Sequence, residues 1–425
     1  MIMFARSAQS YSILILSIWS CSILAQNSAI LTPRWSQDQL NWHADMCRTL
    51  QTSRNGLPNG QGKVTWDFLG LNGVLEQYLT RNPPIDDWTG RLYRDELAIS
   101  PAPGFSCLGE NDNCVVATDC GSYDQSTGPW ISITLHNFWR LTRAQIKGYD
   151  RAIETWDRNN QQLAKAVFTT AFGRNRNEFD VGAFFQGFFT GVSLVMPVLR
   201  AGGSFALALR GTIQAGAKQA ARSNIRLVLA DDPVADGRPF VQSLREAYAP
   251  MQADLRAILR GFMDTGITDL FFNPTVRQTV AFLQNGDLLN AITQTDDELI
   301  QEAADSIIRQ TAANIVADIW SKQGLTLGLL ANSQCSDTNI CAVDPDGCSE
   351  FRFFASDVSP QRCLQIGAGF EFNSDLPFLL RQLKLDFQDI SKNAFVCPRP
   401  GVFPPQETSI IDFGLPQCAF PLRHD

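Results

Sequence analysis

The cysteines constrain this chain more than any other feature. Cys47, Cys107, Cys114 and Cys120 lie near the start, and Cys335, Cys341, Cys348, Cys363, Cys397 and Cys418 near the end, with none between Cys120 and Cys335. An eleventh, Cys21, falls in an apolar leader. Four and six are both even, so two N-terminal and three C-terminal disulfides leave no free thiol, although spacing alone does not fix their connectivity. Zinc is the rival use of such residues. The chain has no CxxC pair, and its only histidines are His43, His136 and His424. Disulfides therefore account better for the pattern, and neither a metal site nor a cofactor is expected.

The leader supports an oxidising destination. Arg6 supplies a short cationic start and YSILILSIWSCSILA (Tyr11 to Ala25) an apolar run of about 15 residues, shorter than the ~20 of a span, so residues 1–25 read as a signal peptide cleaved after Ala25. A secreted, extracellular protein is expected. Losing Arg6 takes the net charge from −8 to −9, which excludes nucleic acid as a main partner. A hydrophobic content of 44% with 28 Phe fits a folded chain rather than a disordered one.

Periodicity divides the rest. Residues 26–128 mix short helical runs with turns; Val64 to Leu79 reads as one helix, and Phe105 to Asp124 as a tight disulfide-bound loop region. Leu135, Trp139, Thr142, Ile146, Tyr149, Ile153, Trp156, Asn160, Leu163 and Val167 then follow one another at spacings of four and three, the seam of a long helix. Val241, Leu244, Tyr248, Met251, Leu255, Ile258 and Phe262 form a second seam, which Pro250 is expected to kink. Thr295 with Glu298 signals the start of a third helix striped by Ile300, Ala304, Ile307, Thr311 and Ile315, with Gly324 at its end. The fold class expected is mainly α: a helical bundle over 129–330, flanked by disulfide-rich irregular segments at 26–128 and 331–425.

Between the first two seams lies GAFFQGFFTGVSLVMPVLRAGGSFALALRG (Gly182 to Gly211). Ala183, Gly187 and Gly191 recur every fourth residue, as do Ser204, Ala208, Thr212, Gly216 and Ala220, and Pro197 with Gly202-Gly203 supplies a turn. Two arms with small-residue ridges pack closely, so 181–221 reads as an apolar helical hairpin carrying Phe184, Phe185, Phe188 and Phe189. From Val181 to Ala230 there is no acid, whereas Arg200, Arg210, Lys218, Arg222 and Arg226 are all cationic. Lys218, Arg222 and Arg226 share one helical face suited to anionic headgroups. Burial between the flanking helices explains the apolarity equally well, and a hairpin buried in solution and released at a membrane reconciles the two. The order of long helix, apolar hairpin and long helix is similar to that of α-helical pore-forming toxins.

Catalytic groups are sparse. His136 sits beside Leu135 on the first seam helix and reads as structural. GGSFA at 202–206 departs from the nucleophile elbow at its last residue and follows a helix-like stretch, and GTIQAGAKQ at 211–219 lacks the hydroxyl of a phosphate loop. Asp344-Pro345-Asp346-Gly347 reads as a turn rather than a calcium loop. Asp86 and Asp87 beside Trp88, with Asp95 and Glu96 near, are the carboxylates best suited to glycosidase chemistry.

The loop PGFSCLGENDNCVVATDCGSYD (Pro103 to Asp124), followed by a long aromatic-rich helix, resembles uncharacterised cysteine-containing secreted proteins of filamentous fungi. That resemblance implies a secreted origin and lends no activity or catalytic residue. The expectation is a non-enzymatic, toxin- or effector-like role. The 181–221 hairpin (Phe184, Phe185, Gly187, Phe188, Phe189, Gly191, Arg210, Lys218, Arg222 and Arg226) would meet membrane lipid or a protein partner. A secreted hydrolase and a purely structural interaction protein are the alternatives.

Overall fold

A computed structural model describes residues 34–53, 56–81, 86–101, 103–158, 238–265, 283 and 286–323, together with the strand backbones 326–330, 350–355, 362–367 and 423–424. The signal segment, the 181–221 hairpin and Cys335, Cys341, Cys348, Cys397 and Cys418 lie outside them, so the C-terminal pairings do too.

The described residues are mainly helical: α1 (Gln37–Ser53), α2 (Gln61–Phe68), α3 (Leu71–Arg81), α4 (Trp88–Arg91), α5 (Gly128–Arg158), α6 (Arg238–Thr265) and α7 (Asp296–Gln323). No helix among them is long and apolar enough to cross a membrane. The chain divides into two compact units, and α5 and α6 contribute to both, with divisions at Arg143/Ala144 and Leu255/Arg256.

In the first unit, the stretch expected as one helix from Val64 to Leu79 is two. The chain breaks at Gly70, whose φ of +67° favours glycine, and Leu69 N–H and Gly70 N–H close α2 on Thr65 O and Asp67 O. Residues 56–62 run against 286–291. Leu57 N–H donates to Leu289 O (2.9 Å), Ala291 N–H returns to Leu57 O (2.6 Å), and Gly62 N–H donates to Asn290 Oδ1 (3.0 Å). The first half of α5 is buried on all sides: Trp130, Ile131, Ile133, Phe138 and Leu141 join the expected Leu135, Trp139 and Thr142. Two of its buried polar residues reach backbone carbonyls there. Asn137 Nδ2 donates to Leu288 O, and Arg140 Nη2 to Gln294 O.

The second unit holds the remainder of α5 and α6 with α7. Tyr149 of α5 meets Tyr248 of α6 with ring centroids 5.1 Å apart, and its hydroxyl donates to Met251 Sδ at 3.4 Å. Gln252 Nε2 reaches Ile146 O (3.0 Å) and Asp150 Oδ1 (2.7 Å). As residue numbers rise along α5 their partners on α6 fall, so the two helices are antiparallel. Gly148 of α5 faces Ala303 of α7, Arg151 pairs with Asp297 at 2.9 Å, and Tyr248 bonds Thr311 Oγ1 at 2.6 Å. All seven α6 seam residues are buried, as are Ile146, Tyr149, Ile153 and Trp156 of α5. α6 runs unbroken through Pro250.

The C-terminal segment, expected to be irregular, contains a four-stranded sheet. β1 (Thr326–Leu330), β2 (Glu350–Ala355), β3 (Arg362–Gly367) and β4 (Arg423–His424) lie in the order β2-β3-β1-β4. β3 is antiparallel to β1 and β2, while β4 runs parallel to β1. Phe351–Arg352–Phe353 and Leu364–Gln365–Ile366 each alternate at period two, and the register sets Phe351 opposite Ile366 and Phe353 opposite Leu364.

Candidate functional site

The four N-terminal cysteines form the expected two disulfides, Cys47–Cys120 and Cys107–Cys114. Cys47 lies one turn beyond His43 on α1, so both point from one helix face. Cys120 opens the short 3₁₀ turn Cys120–Ser122. His43 Nε2 and Nδ1 stand 3.5 and 3.8 Å from Cys47 Sγ. Two indoles hold the ring: Trp35 at 5.2 Å and Trp130, edge-on, at 5.6 Å between centroids. Burial pushes the His43 pKa down, and a hydrogen bond with the Ser126 backbone opposes that shift in part. Among the described residues, His43, Cys47 and Cys120 are the group whose nitrogen and sulfur donors all lie within 4.8 Å of one another. The sequence pattern favoured disulfides over zinc for these cysteines and did not bring His43 to them. The spacing of His43 and Cys47 by one helical turn is the signal that brings them together, but Cys120 is distant in sequence.

The second disulfide closes a short loop that docks on α5. His136 Nδ1 donates to Cys114 O, Trp139 Nε1 to Gly109 O (2.9 Å) and Arg143 Nε to Glu110 O (3.0 Å). These three side chains are about one and two turns apart on one face. Arg143 lies over the Trp139 ring at 5.2 Å, and Glu110 also pairs with Arg256 at 2.7 Å. His136 is thus the structural histidine expected from its position.

The expected carboxylates do not converge as a hydrolytic pair. Asp86 is exposed, and Asp87 is occupied: it caps α4 by accepting from Gly90 N–H and pairs with Arg94 at 2.8 Å. Both take positive φ, 22° and 53°. The turn is held from α6, where Asp264 Oδ1 accepts from Asp87 N–H. Trp88 is buried, donating to Phe262 O (2.6 Å), and Thr89 Oγ1 donates to Met263 O (2.8 Å). That pins the last turn of α6, whose carbonyls need such donors, and takes Trp88 away from any sugar platform. Asp95 is exposed, and the Glu96 pKa is raised by burial and then by Asp95. His424 lies on β4, paired in register with Leu327.

No family model, curated protein or solved structure matches the chain.

Proposed function

We propose that this chain is an extracellular helical bundle of non-enzymatic, toxin- or effector-like role, closed by disulfide-rich segments, whose apolar, acid-free 181–221 hairpin acts on an anionic membrane surface. One observation carries the reading. Antiparallel packing of α5 on α6 sets Arg158, the last described residue of α5, and Arg238, the first of α6, at the same end of the helix pair. The segment that joins them is therefore tethered at both of its ends to one end of a packed helix pair. A hairpin inserted between two locked helices is what this tethering suits. The sequence of that hairpin and its basic continuation, cationic at Arg210, Lys218, Arg222 and Arg226 and aromatic at Phe184, Phe185, Phe188 and Phe189, suits a headgroup layer. The commitment of Asp87 to Gly90 N–H and Arg94 favours this over the hydrolase reading.

The experiment is flotation of the purified chain with anionic vesicles, comparing the wild type with Gly187→Leu, which fills the small-residue ridge alongside Gly191. The proposal expects binding by the wild type, loss of binding in the variant, and secretion at comparable yield. Normal binding by a variant whose yield has collapsed would instead make the ridge a core contact.

A further inference from the structure

We infer that His43, Cys47 and Cys120 form a redox-gated zinc site: a structural disulfide when oxidised, and a Cys₂His ligand set when reduced. The geometry carries this independently of the 181–221 segment. Zinc takes thiolate sulfur at about 2.3 Å and imidazole nitrogen at about 2.0–2.1 Å, so a nitrogen–sulfur edge of its tetrahedron is about 3.5 Å long. His43 Nε2 already stands 3.5 Å from Cys47 Sγ, and all three donors lie within 4.8 Å. Opening the S–S bond frees the two sulfurs to part to the roughly 3.8 Å sulfur–sulfur edge of the same tetrahedron.

The ring is also prepared as a ligand. Trp35, Trp130 and the Ser126 backbone fix its orientation, the role that outer contacts play around ligating histidines. Burial pushes its pKa down, which favours the neutral ring that a metal takes. His43 and Cys120 are half-buried and Cys47 is 9% exposed, so the site is reachable from solvent.

The steps balance with a dithiol as the reductant. The dithiol gives two electrons and two protons, closes to its own cyclic disulfide, and leaves Cys47 and Cys120 as thiols. Zinc then displaces the two thiol protons to solvent and takes the lone pair of His43. A disulfide oxidant closes the cycle: it takes two electrons from the thiolates and two protons from solvent to become a dithiol, the Cys47–Cys120 bond reforms and the ion is released. The asymmetry with the other N-terminal disulfide is informative, because His136 is committed through Nδ1 to the Cys114 carbonyl.

The test is site-resolved thiol alkylation of the full chain, reduced with a phosphine and held with or without zinc, read peptide by peptide by mass spectrometry. Zinc should slow alkylation of Cys47 and Cys120 together by at least about tenfold, the scale on which even outer contacts of metal sites act. His43→Gln should abolish that protection, and His136→Gln should keep it. Cobalt in place of zinc should give thiolate-to-metal absorption with the same dependence on reduction and on His43. Equal alkylation with and without zinc, or unchanged protection in His43→Gln, overturns the inference. So does equal loss in both histidine variants, which would make protection a property of general folding.

Discussion

Gly148 brings α5 against Ala303 and Ala304 of α7, and moving one methyl group tests that packing. A Cβ at Gly148 would stand 2.7 Å from Ala303 Cβ and 3.2 Å from the Ala303 carbonyl carbon and the Ala304 nitrogen. Carbon contacts sit near 3.5–4.0 Å, so the helices would have to part by about 1 Å. Two of those three neighbours are backbone, which cannot rotate away. Overpacking of this kind costs about 1–3 kcal/mol, while replacing a helical Gly by Ala returns about 1 kcal/mol. Gly148→Ala is therefore expected to lose up to about 2 kcal/mol, although propensity alone predicts a gain. Ala303→Gly loses helix propensity and a buried methyl, again about 1–2 kcal/mol. The double variant moves the methyl from α7 to α5 and should return to within about 1 kcal/mol of wild type, a coupling of about 2–3 kcal/mol. Urea unfolding followed by tryptophan fluorescence reads this, since Trp156 is buried on α5 in the same unit. A Gly148→Ala variant at least as stable as wild type, or a double variant whose losses simply add, would refute the close approach.

Other consequences follow from the same contacts. Cys47 and Cys120 are 73 residues apart and Cys107 and Cys114 only 7, so chain entropy assigns about 4 kcal/mol to the first bridge and about 2 to the second; paired Ser variants compared by urea unfolding should keep that order. His43 has a folded pKa below its ordinary 6.5, so the unfolded chain binds more protons as pH falls. Its share of stability is present above pH 6.5 and is lost as pH drops through the folded value, a slope that a thermal-melt series should find missing in His43→Gln. Thr311→Val leaves the buried Tyr248 hydroxyl without that partner and should cost about 1–3 kcal/mol in the same unfolding assay.

The seams of α5 and α6 were legible because a repeated three-and-four spacing survives any packing partner: each α6 seam residue, from Val241 to Phe262, is buried. The same spacing undercounted α5. Asn137, Arg140 and Gln145 are polar and lie off the seam, yet they are buried, and Asn137 and Arg140 reach the 288–294 backbone, whose proximity no local pattern encodes. Gly70 was hidden inside an apolar run whose period looked continuous, and only its positive φ makes it a boundary. The C-terminal strands were short and set among turn residues, so their period-two alternation was diluted. At the candidate site, the chemistry of His43 depended on Cys120, brought near by a disulfide whose connectivity the sequence left open.

The central claim is that the cationic, aromatic 181–221 segment and its basic continuation meet an anionic membrane, and its most direct test is the binding of the full chain to phosphatidylserine vesicles against phosphatidylcholine vesicles, with Lys218→Gln/Arg222→Gln/Arg226→Gln as the comparison. Each cation near an anionic surface contributes about 1 kcal/mol, so the triple variant should bind on the order of a hundredfold more weakly, and added salt should narrow that gap. Binding of the wild type to the anionic vesicles alone, with this loss in the variant, is the result predicted. Absence of binding at every pH from about 4 to 7.5, or equal binding by wild type and triple variant, would contradict it.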